Sequence, residues 1–415
     1  MFKKCPKLLT FASDMKILLI TKKFPFPLKE GEPIAINYLA RSLAALGCEV
    51  DLLVMNTSKH FFEPTQFPAE ENFFNEIHSV KVDNHISLGG ALRSLLSGKS
   101  YILDRFYSKA FEEKLEDLLR SKRYDVVQLE TIYLAHYLPV LRKQRTLKIA
   151  LRAHNVEHEI WDRVAANTSN PLRKWYLRNQ NRHLRAFETE NLNQFDVLLA
   201  ITARDLDAFR SLGFRYDGAA VPVGINLVDY PVDAQSVANP GSFGFIGALD
   251  WMPNQHGVVW FLEKVWKKLV KSHPTAQLQV AGKNTPAWLK AKTVANVQFL
   301  GEVSDAKRFI QQQQVMVAPL FSGSGIKIKV LEGMALGRLV ITTSIGAEGI
   351  PAVPGTHLLI ADTAAGFLGH LAWCLENPEK VVQMGAEARE FIRRHFDNHE
   401  IAGRVLDVYQ KAITI

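Results

Sequence analysis

The sequence predicts an α/β protein built from two doubly wound parallel-sheet domains that face a cleft. Three observations lead there. The chain has 415 residues, more than one hydrophobic core ordinarily organises. From Met15 onward, short apolar runs alternate with amphipathic helical stretches, the pattern of parallel strands covered by helices. The alternation lapses over residues 229–241, where Pro231, Asn239 and Pro240 and a shortage of large apolar side chains read as a linker, and it resumes at Phe243.

Met15 opens a buried strand over 16–21, so residues 1–14 are expected to be a disordered extension. A loop through Gly31 leads into a helix over about 33–46, which Gly47 stops, and 49–55 is the next strand. Runs at 125–130, 148–153 and 196–202 add strands, each followed by helix-compatible sequence. Beyond the linker, strands are expected at 243–247, 276–281, 297–300, 315–319 and 339–343, with helices around 257–273, around 307–313 and from about 325. The expected organisation is a first domain over 15–225, a second over 226–395, and a closing helix over 396–415 that packs back on the first. In sheets of this kind ligands sit beyond the carboxyl ends of the strands, so those loops are where chemistry is sought.

Composition excludes several classes. With 47% hydrophobic and 22% charged residues, the chain is neither collagenous nor disordered. Cys5, Cys48 and Cys374 are odd in number and scattered, which fits a reducing cytoplasm rather than a disulfide framework. No apolar run reaches the roughly 18 residues of a spanning helix, and the basic start lacks a small-residue cleavage site, so no signal peptide is read. Formal charge is +8, with Lys+Arg 32 against Asp+Glu 28 over residues 1–240 and 18 against 14 afterwards. The excess is even, so any anion-binding surface is local. With no base-reading module either, nucleic acid is not expected as a partner.

The most informative stretch is 319–337, PLFSGSGIKIKVLEGMALG. Gly323 and Gly325 follow a strand and precede a helix, so backbone amides and the positive end of the helix dipole can meet an anion there, a phosphate or diphosphate. It is not a Walker A loop, which needs G-K-[ST], nor a G-x-G-x-x-G fingerprint. Lys329 and Glu332, three apart, share a helical face: a cation for phosphates beside a carboxylate for ribose hydroxyls. The plain alternative is a tight turn with a surface salt bridge.

Two further strings carry weaker signals. His154, Glu157 and His158 spell H-x-x-E-H, an inverted zinc-protease motif, but a strand runs up to His154, so the two histidines do not share a helix. Asp205 and Asp207 form a D-x-D triplet that reads as the acidic first turn of a helix. No metal site is expected.

The string GSGIKIKVLEGMALG, with the strand LVITTSIGAEGI after it, resembles the retaining GT-B glycosyltransferases of family 4. VPVGIN at 221–226, FIGALDWMPN at 245–254 and the Gly31 loop agree in order, and the resemblance spans about residues 15–395. It implies two Rossmann-like domains, the first on the acceptor side and the second holding the donor, and an enzyme that moves a sugar from a nucleotide diphosphate sugar, the co-substrate, with no other cofactor. The acceptor it implies is a glycan or lipid-linked molecule, in cell-surface polysaccharide or lipid-linked oligosaccharide synthesis. Residue by residue, it implies that Glu332 binds the donor ribose, that Lys329 meets the diphosphate, and that His154 hydrogen-bonds the reacting sugar or its phosphate. Donor contacts are implied at Gly31, Gly247, Asn254, Gly301, Gly323, Ser324, Gly325, Ile326 and Lys327, with closure by a hinge near Gly224. Ser324 stands where the family's first Glu of E-x7-E falls, which leaves the donor sugar open. The alternative is a non-catalytic two-domain binding protein or partner subunit.

Finally, residues 171–187 carry Lys174, Arg178, Arg182 and Arg185 at helical spacing and no acid. Such a face suits an anionic membrane or a lipid diphosphate acceptor at the inner face of the membrane; the plain alternative is a solvated helix with Arg stems over the core.

Overall fold

Alternate residues of each apolar run feed opposite faces of a sheet, and this builds two layered units. The structure is a computed structural model describing residues 14–28, 31–85, 100–166, 168–232, 240–322 and 326–414. Its described residues divide into one unit over 14–224 with 398–414, and a second over 225–397.

In the first unit seven strands, β1 (Lys16–Thr21), β2 (Glu49–Thr57), β3 (Ile77–Val82), β4 (Val126–Leu129), β5 (Lys148–Ala153), β6 (Val197–Ala200) and β7 (Asp217–Ala220), form a parallel sheet of order β3-β2-β1-β4-β5-β6-β7. Leu18, Ile20, Leu53, Val127 and Leu129 point into one core. Ile17, Leu19, Leu52, Val54 and Val126 point into the other. That division follows from the two-residue period of a strand. The order turns between β1 and β4, so loops after these strands flank the crevice where such sheets take ligands.

In the second unit β8 (Ser242–Ile246), β9 (Gln277–Ala281), β10 (Val297–Gly301), β11 (Val315–Ala318), β12 (Leu339–Thr342) and β13 (Leu359–Ile360) form a parallel sheet of order β10-β9-β8-β11-β12-β13. Here the turn lies between β8 and β11. Phe243, Phe245, Val280, Val317 and Ile341 fill one face, and Met316, Ala318, Val340 and Leu331 the other.

Helix boundaries have local causes. Side chains of Ser108, Asn170, Thr202, Asp305 and Thr363 each accept from a backbone amide in the first turn of the helix they precede, satisfying donors that would otherwise be orphaned. Gly47, at φ 92°, ends the helix Gly31–Ala45. The closing helix Asn398–Thr414 packs on Gly31–Ala45, its Ile401, Val405 and Tyr409 entering the same core as Leu39 and Leu43.

Some expected elements differ. The helix expected over 257–273 is Met252–Phe261, a π-helical turn Leu262–Trp266, and Lys267–Ser272. The widened turn accompanies a fully buried Trp266, whose indole donates to the Ala295 carbonyl at 3.0 Å. The helix expected from about 325 begins at Ile328, because Lys327 keeps extended backbone (φ −89°, ψ 98°). No described helix is long and apolar enough to cross a membrane.

Candidate active site

In the second unit the carboxyl end of β8 runs into Gly247. A Cβ there would lie 2.4 Å from Lys329 Nζ and 3.0 Å from Asn254 Nδ2, so the absence of a side chain is what admits the amine. Lys329 stands in the first turn of the helix Ile328–Ala335 and donates to Asn254 Oδ1 at 2.8 Å. The ammonium lies 4.6 Å from the centroid of the Phe245 ring, a cation–π contact. Asn254 is itself fixed, its Nδ2 donating to the Ala248 carbonyl at 2.7 Å. Burial pushes the Lys329 amine down to about 7, with Glu332 opposing it. Among the described residues no carboxylate forms an ion pair with Lys329.

One turn on, Glu332 Oε1 accepts from the Tyr230 hydroxyl at 2.8 Å. Burial raises its carboxyl above the ordinary range, against the pull of Tyr230, Lys307 and Lys329. Tyr230 is held from two sides. Lys307 Nζ sits 4.5 Å over its ring, and Arg389 donates to its carbonyl at 2.8 Å. Lys329 and Glu332 therefore share a face but not a bond, each reaching a neutral partner, and the pair is no surface salt bridge.

Other predicted donor residues surround this pair. Gly301 ends β10 at φ 71° and accepts from the Gly282 amide at 2.7 Å, a left-handed position that suits glycine. Lys327 lies 3.9 Å from Glu348, its amine lowered mainly by burial. Ile326 precedes it, half-buried against the second unit's core. Gly323, Ser324 and Gly325 lie outside the described residues.

In the first unit β5 delivers His154, whose Nε2 lies 2.8 Å from Glu130 Oε2 just past β4. Glu130 is fully buried. It also faces Arg152 Nη1 at 3.6 Å, and its other oxygen accepts from Gln128, whose carbonyl accepts from the Tyr409 hydroxyl of the closing helix. His154 is thus held by a carboxylate, three residues ahead of the helix Glu157–Ala166. Nearby, Glu32 is shared by Lys22 at 3.4 Å and Lys23 at 3.5 Å. Burial raises its carboxyl, but Lys22, His154 and Lys23 outweigh that and hold it below the ordinary range. Gly31 is the first residue of the helix that carries Glu32.

The rival strings resolve into other contacts. Glu157 accepts from Tyr133 at 2.7 Å and His158 meets Glu188 at 2.5 Å, so the three groups of the H-x-x-E-H string go to separate partners. Asp205 pairs with Arg204 at 3.2 Å and Asp207 with Arg210 at 3.4 Å. Among the described residues no group of three or more His, Cys, Asp or Glu is arranged to hold a metal. On the helix Pro171–Leu192, Arg178, Arg182 and Arg185 are exposed, while Lys174 donates to the Ala166 carbonyl at 3.2 Å. Leu184 lies in the core, whereas Leu172 and Trp175 are 80% and 62% exposed beside the cations.

Glu130, Gln128, Tyr409 and Tyr230 escaped the sequence reading. Glu130 had a signal, as a carboxylate ending an apolar strand. Tyr230 lay in the presumed linker, and Tyr409 is 281 residues from Gln128.

The chain matches the family described as "Glycosyl transferase 4-like domain" over residues 31–224 and that described as "Glycosyl transferases group 1" over 240–377. An "Uncharacterized 44.6 kDa protein in cps region" of Klebsiella pneumoniae is 23% identical over 396 residues, covering 93% of this chain and 97% of the relative. Sucrose-phosphate synthase of Thermosynechococcus elongatus shares the fold at TM-score 0.62 and 16% identity, over 96% of this chain and 99% of that one. Anabaena HepE, solved in complex with UDP, does so at 0.64 and 13%, over 96% and 100%. Two parallel α/β units, each matched by one half of the same enzyme family, identify the chain as a member of the GT-B glycosyltransferases, with a 4-like first domain and a group 1 second domain.

Proposed function

We propose that the protein transfers a hexosyl group, with retention of configuration, from a nucleotide diphosphate sugar to a glycan or lipid-linked acceptor. The observation that carries the donor reading is Lys329: a buried amine held beside Gly247 by an amide and a ring, with no carboxylate paired to it among the described residues. A desolvated cation of this kind gains most from an anion that arrives with the ligand. A diphosphate at the end of β8 would receive Lys329, with Lys327 and the amino end of the helix Ile328–Ala335 adding positive potential. Glu332, oriented by Tyr230, would accept from ribose hydroxyls. Gly247, Asn254, Gly301 and Ile326 would shape the backbone around the nucleotide.

As the glycosidic bond to phosphate breaks, charge grows on the departing diphosphate, and preorganised donors stabilise it. His154, with Glu130 as its positioning residue, would hydrogen-bond the transferred sugar or its phosphate, and Gly31 would approach the same group through its backbone. No side-chain nucleophile and no metal are part of this reading. Anabaena HepE was solved with UDP-glucose, which puts that donor first in a panel. The Klebsiella relative's cps region supports cell-surface polysaccharide synthesis, which would place the enzyme at the inner face of the membrane. Exposed Leu172 and Trp175 beside Arg178, Arg182 and Arg185 support peripheral contact with anionic lipid there.

The test is a thermal-shift and hydrolysis screen across UDP-, GDP- and ADP-sugars on wild type, Lys329→Ala and Glu332→Ala. One nucleotide raises the wild-type midpoint and both variants lose the response. No response across the panel would remove the donor reading. The anomer of the transferred sugar, read by NMR, tests retention.

A further inference from the structure

Beside the His154 and Glu130 group, the first unit holds a cavity of about 350 Å³, at the small end of ligand sites. Its walls differ in chemistry. One is aromatic: Phe106 and Tyr133 stack at 5.1 Å with ring planes 8° apart, and the Trp161 indole donates to the Tyr133 hydroxyl at 3.1 Å. That hydroxyl donates to Glu157, so the rings are locked by hydrogen bonds as well as packing. The other wall is cationic. Lys22 and Lys23 line the cavity, each within reach of the Glu32 carboxylate, and Arg105 lines it as well.

Arg105 is the decisive member. Its Nε and Nη2 grip one neutral group, the Asn84 carbonyl, at 3.0 and 2.6 Å. Among the described residues no carboxylate forms an ion pair with it. A guanidinium anchored by a backbone carbonyl on a cavity wall, with no carboxylate paired to it among the described residues, is suited to a planar or tetrahedral oxyanion. The lining thus carries Lys22, Lys23 and Arg105 with a single carboxylate, Glu157, among the described residues.

We infer that this pocket is the acceptor subsite and that the acceptor carries an acidic group, a phosphate or a carboxylate. Arg105 and the Lys22–Lys23 pair receive the acid while a sugar ring lies against Tyr133 and Trp161. The inference rests on the reading that the first unit takes the acceptor and the second the donor.

The experiment measures binding of glucose 1-phosphate, glucuronate and glucose to the full chain by saturation-transfer NMR and calorimetry. It uses wild type, Arg105→Gln, Arg105→Lys and Lys329→Ala. At least one acidic sugar is expected to bind wild type about tenfold more tightly than glucose, to weaken about tenfold in Arg105→Gln and less in Arg105→Lys, and to be unchanged in Lys329→Ala. Preference between the two acids names the group. Acidic sugars that bind no better than glucose overturn the inference. So does binding that survives Arg105→Gln but disappears with Lys329→Ala, which would locate the anion on the second unit. A retained nucleotide-induced thermal shift in Arg105→Gln shows that this variant is folded and that the donor reading stands apart from the outcome.

Discussion

The two units treat a buried cation in opposite ways. In the first, Arg152 faces Glu130, the carboxylate that also meets His154, and Lys22 and Lys23 face Glu32, so the cations beside His154 have carboxylate partners, whereas Arg105 in the adjoining cavity has none among the described residues. In the second, Lys329 meets an amide oxygen and the Phe245 ring, and its neighbour Glu332 meets a phenol. A matched cation is an oriented group whose charge is already answered. An unmatched one is held at a cost in solvation that a ligand anion can offset. The difference supports the proposal that the diphosphate goes to the second unit and that His154 acts by oriented hydrogen bonding.

The largest expected effect breaks the comparison where it is sharpest. Lys329→Met keeps the bulk beside Phe245 and removes the charge, and kcat/KM falls by about 10² to 10³, the loss typical of one preorganised oxyanion donor. The same variant has a signature in stability. In the folded chain the amine titrates near 7 rather than its ordinary 10.5. Below about 7 both states hold the proton and the full penalty stands. Between 7 and 10.5 the unfolded chain holds it and the folded chain does not, so stability rises with pH across that window. The slope is at most about 1.4 kcal/mol per pH unit. Lys329→Met flattens it, as urea unfolding at pH 7, 8 and 9 will report.

Next comes the first unit. His154→Ala lowers kcat by about 10² and Glu130→Gln by about tenfold, while nucleotide affinity stays within about twofold of wild type in both. Steady-state kinetics with parallel nucleotide titrations separate the two quantities. A change in nucleotide affinity equal to the change in kcat would erase the distinction between the units.

Smaller effects sharpen the second unit. Glu332→Gln weakens nucleotide binding by about tenfold, and Tyr230→Phe, which removes one hydrogen bond of about 1 kcal/mol, by about threefold to fivefold. Calorimetric titration with the nucleotide found in the screen resolves both. Last is a stability effect with little reach into chemistry. Alanine is ordinarily the better helix former than glycine by about 1 kcal/mol. At Gly257, in the helix that carries Asn254, a Cβ would sit 2.0 Å from the Pro319 carbonyl oxygen. Gly257→Ala therefore destabilises by about 1 to 3 kcal/mol, seen as a lowered melting temperature.

Much of this was legible in the sequence, and what was not has a physical reason. The central strands announced themselves because both their faces are buried and their apolar runs are unbroken, as in Ile17 to Ile20. The edge strand Ile77–Val82, half polar, and the two-residue Leu359–Ile360 carry no such run and went unread. Lys329 and Glu332 were found from helical spacing, but spacing also suggested that they pair with each other. Their actual partners, Asn254 and Tyr230, lie 75 and 102 residues away, a distance no local pattern spans. His154 was placed by the strand before it, and its fixing by Glu130 needed the adjacency of β4 and β5.

The central claim is that Lys329, its amine lowered to about 7 by burial, takes up a proton when a diphosphate arrives above that pH. Calorimetry of nucleoside diphosphate binding at pH 8, repeated in buffers of differing ionisation enthalpy, measures that proton directly. Uptake of roughly one proton per nucleotide, abolished in Lys329→Met, is the expected result. Binding without proton uptake, or uptake undiminished in Lys329→Met, would contradict it.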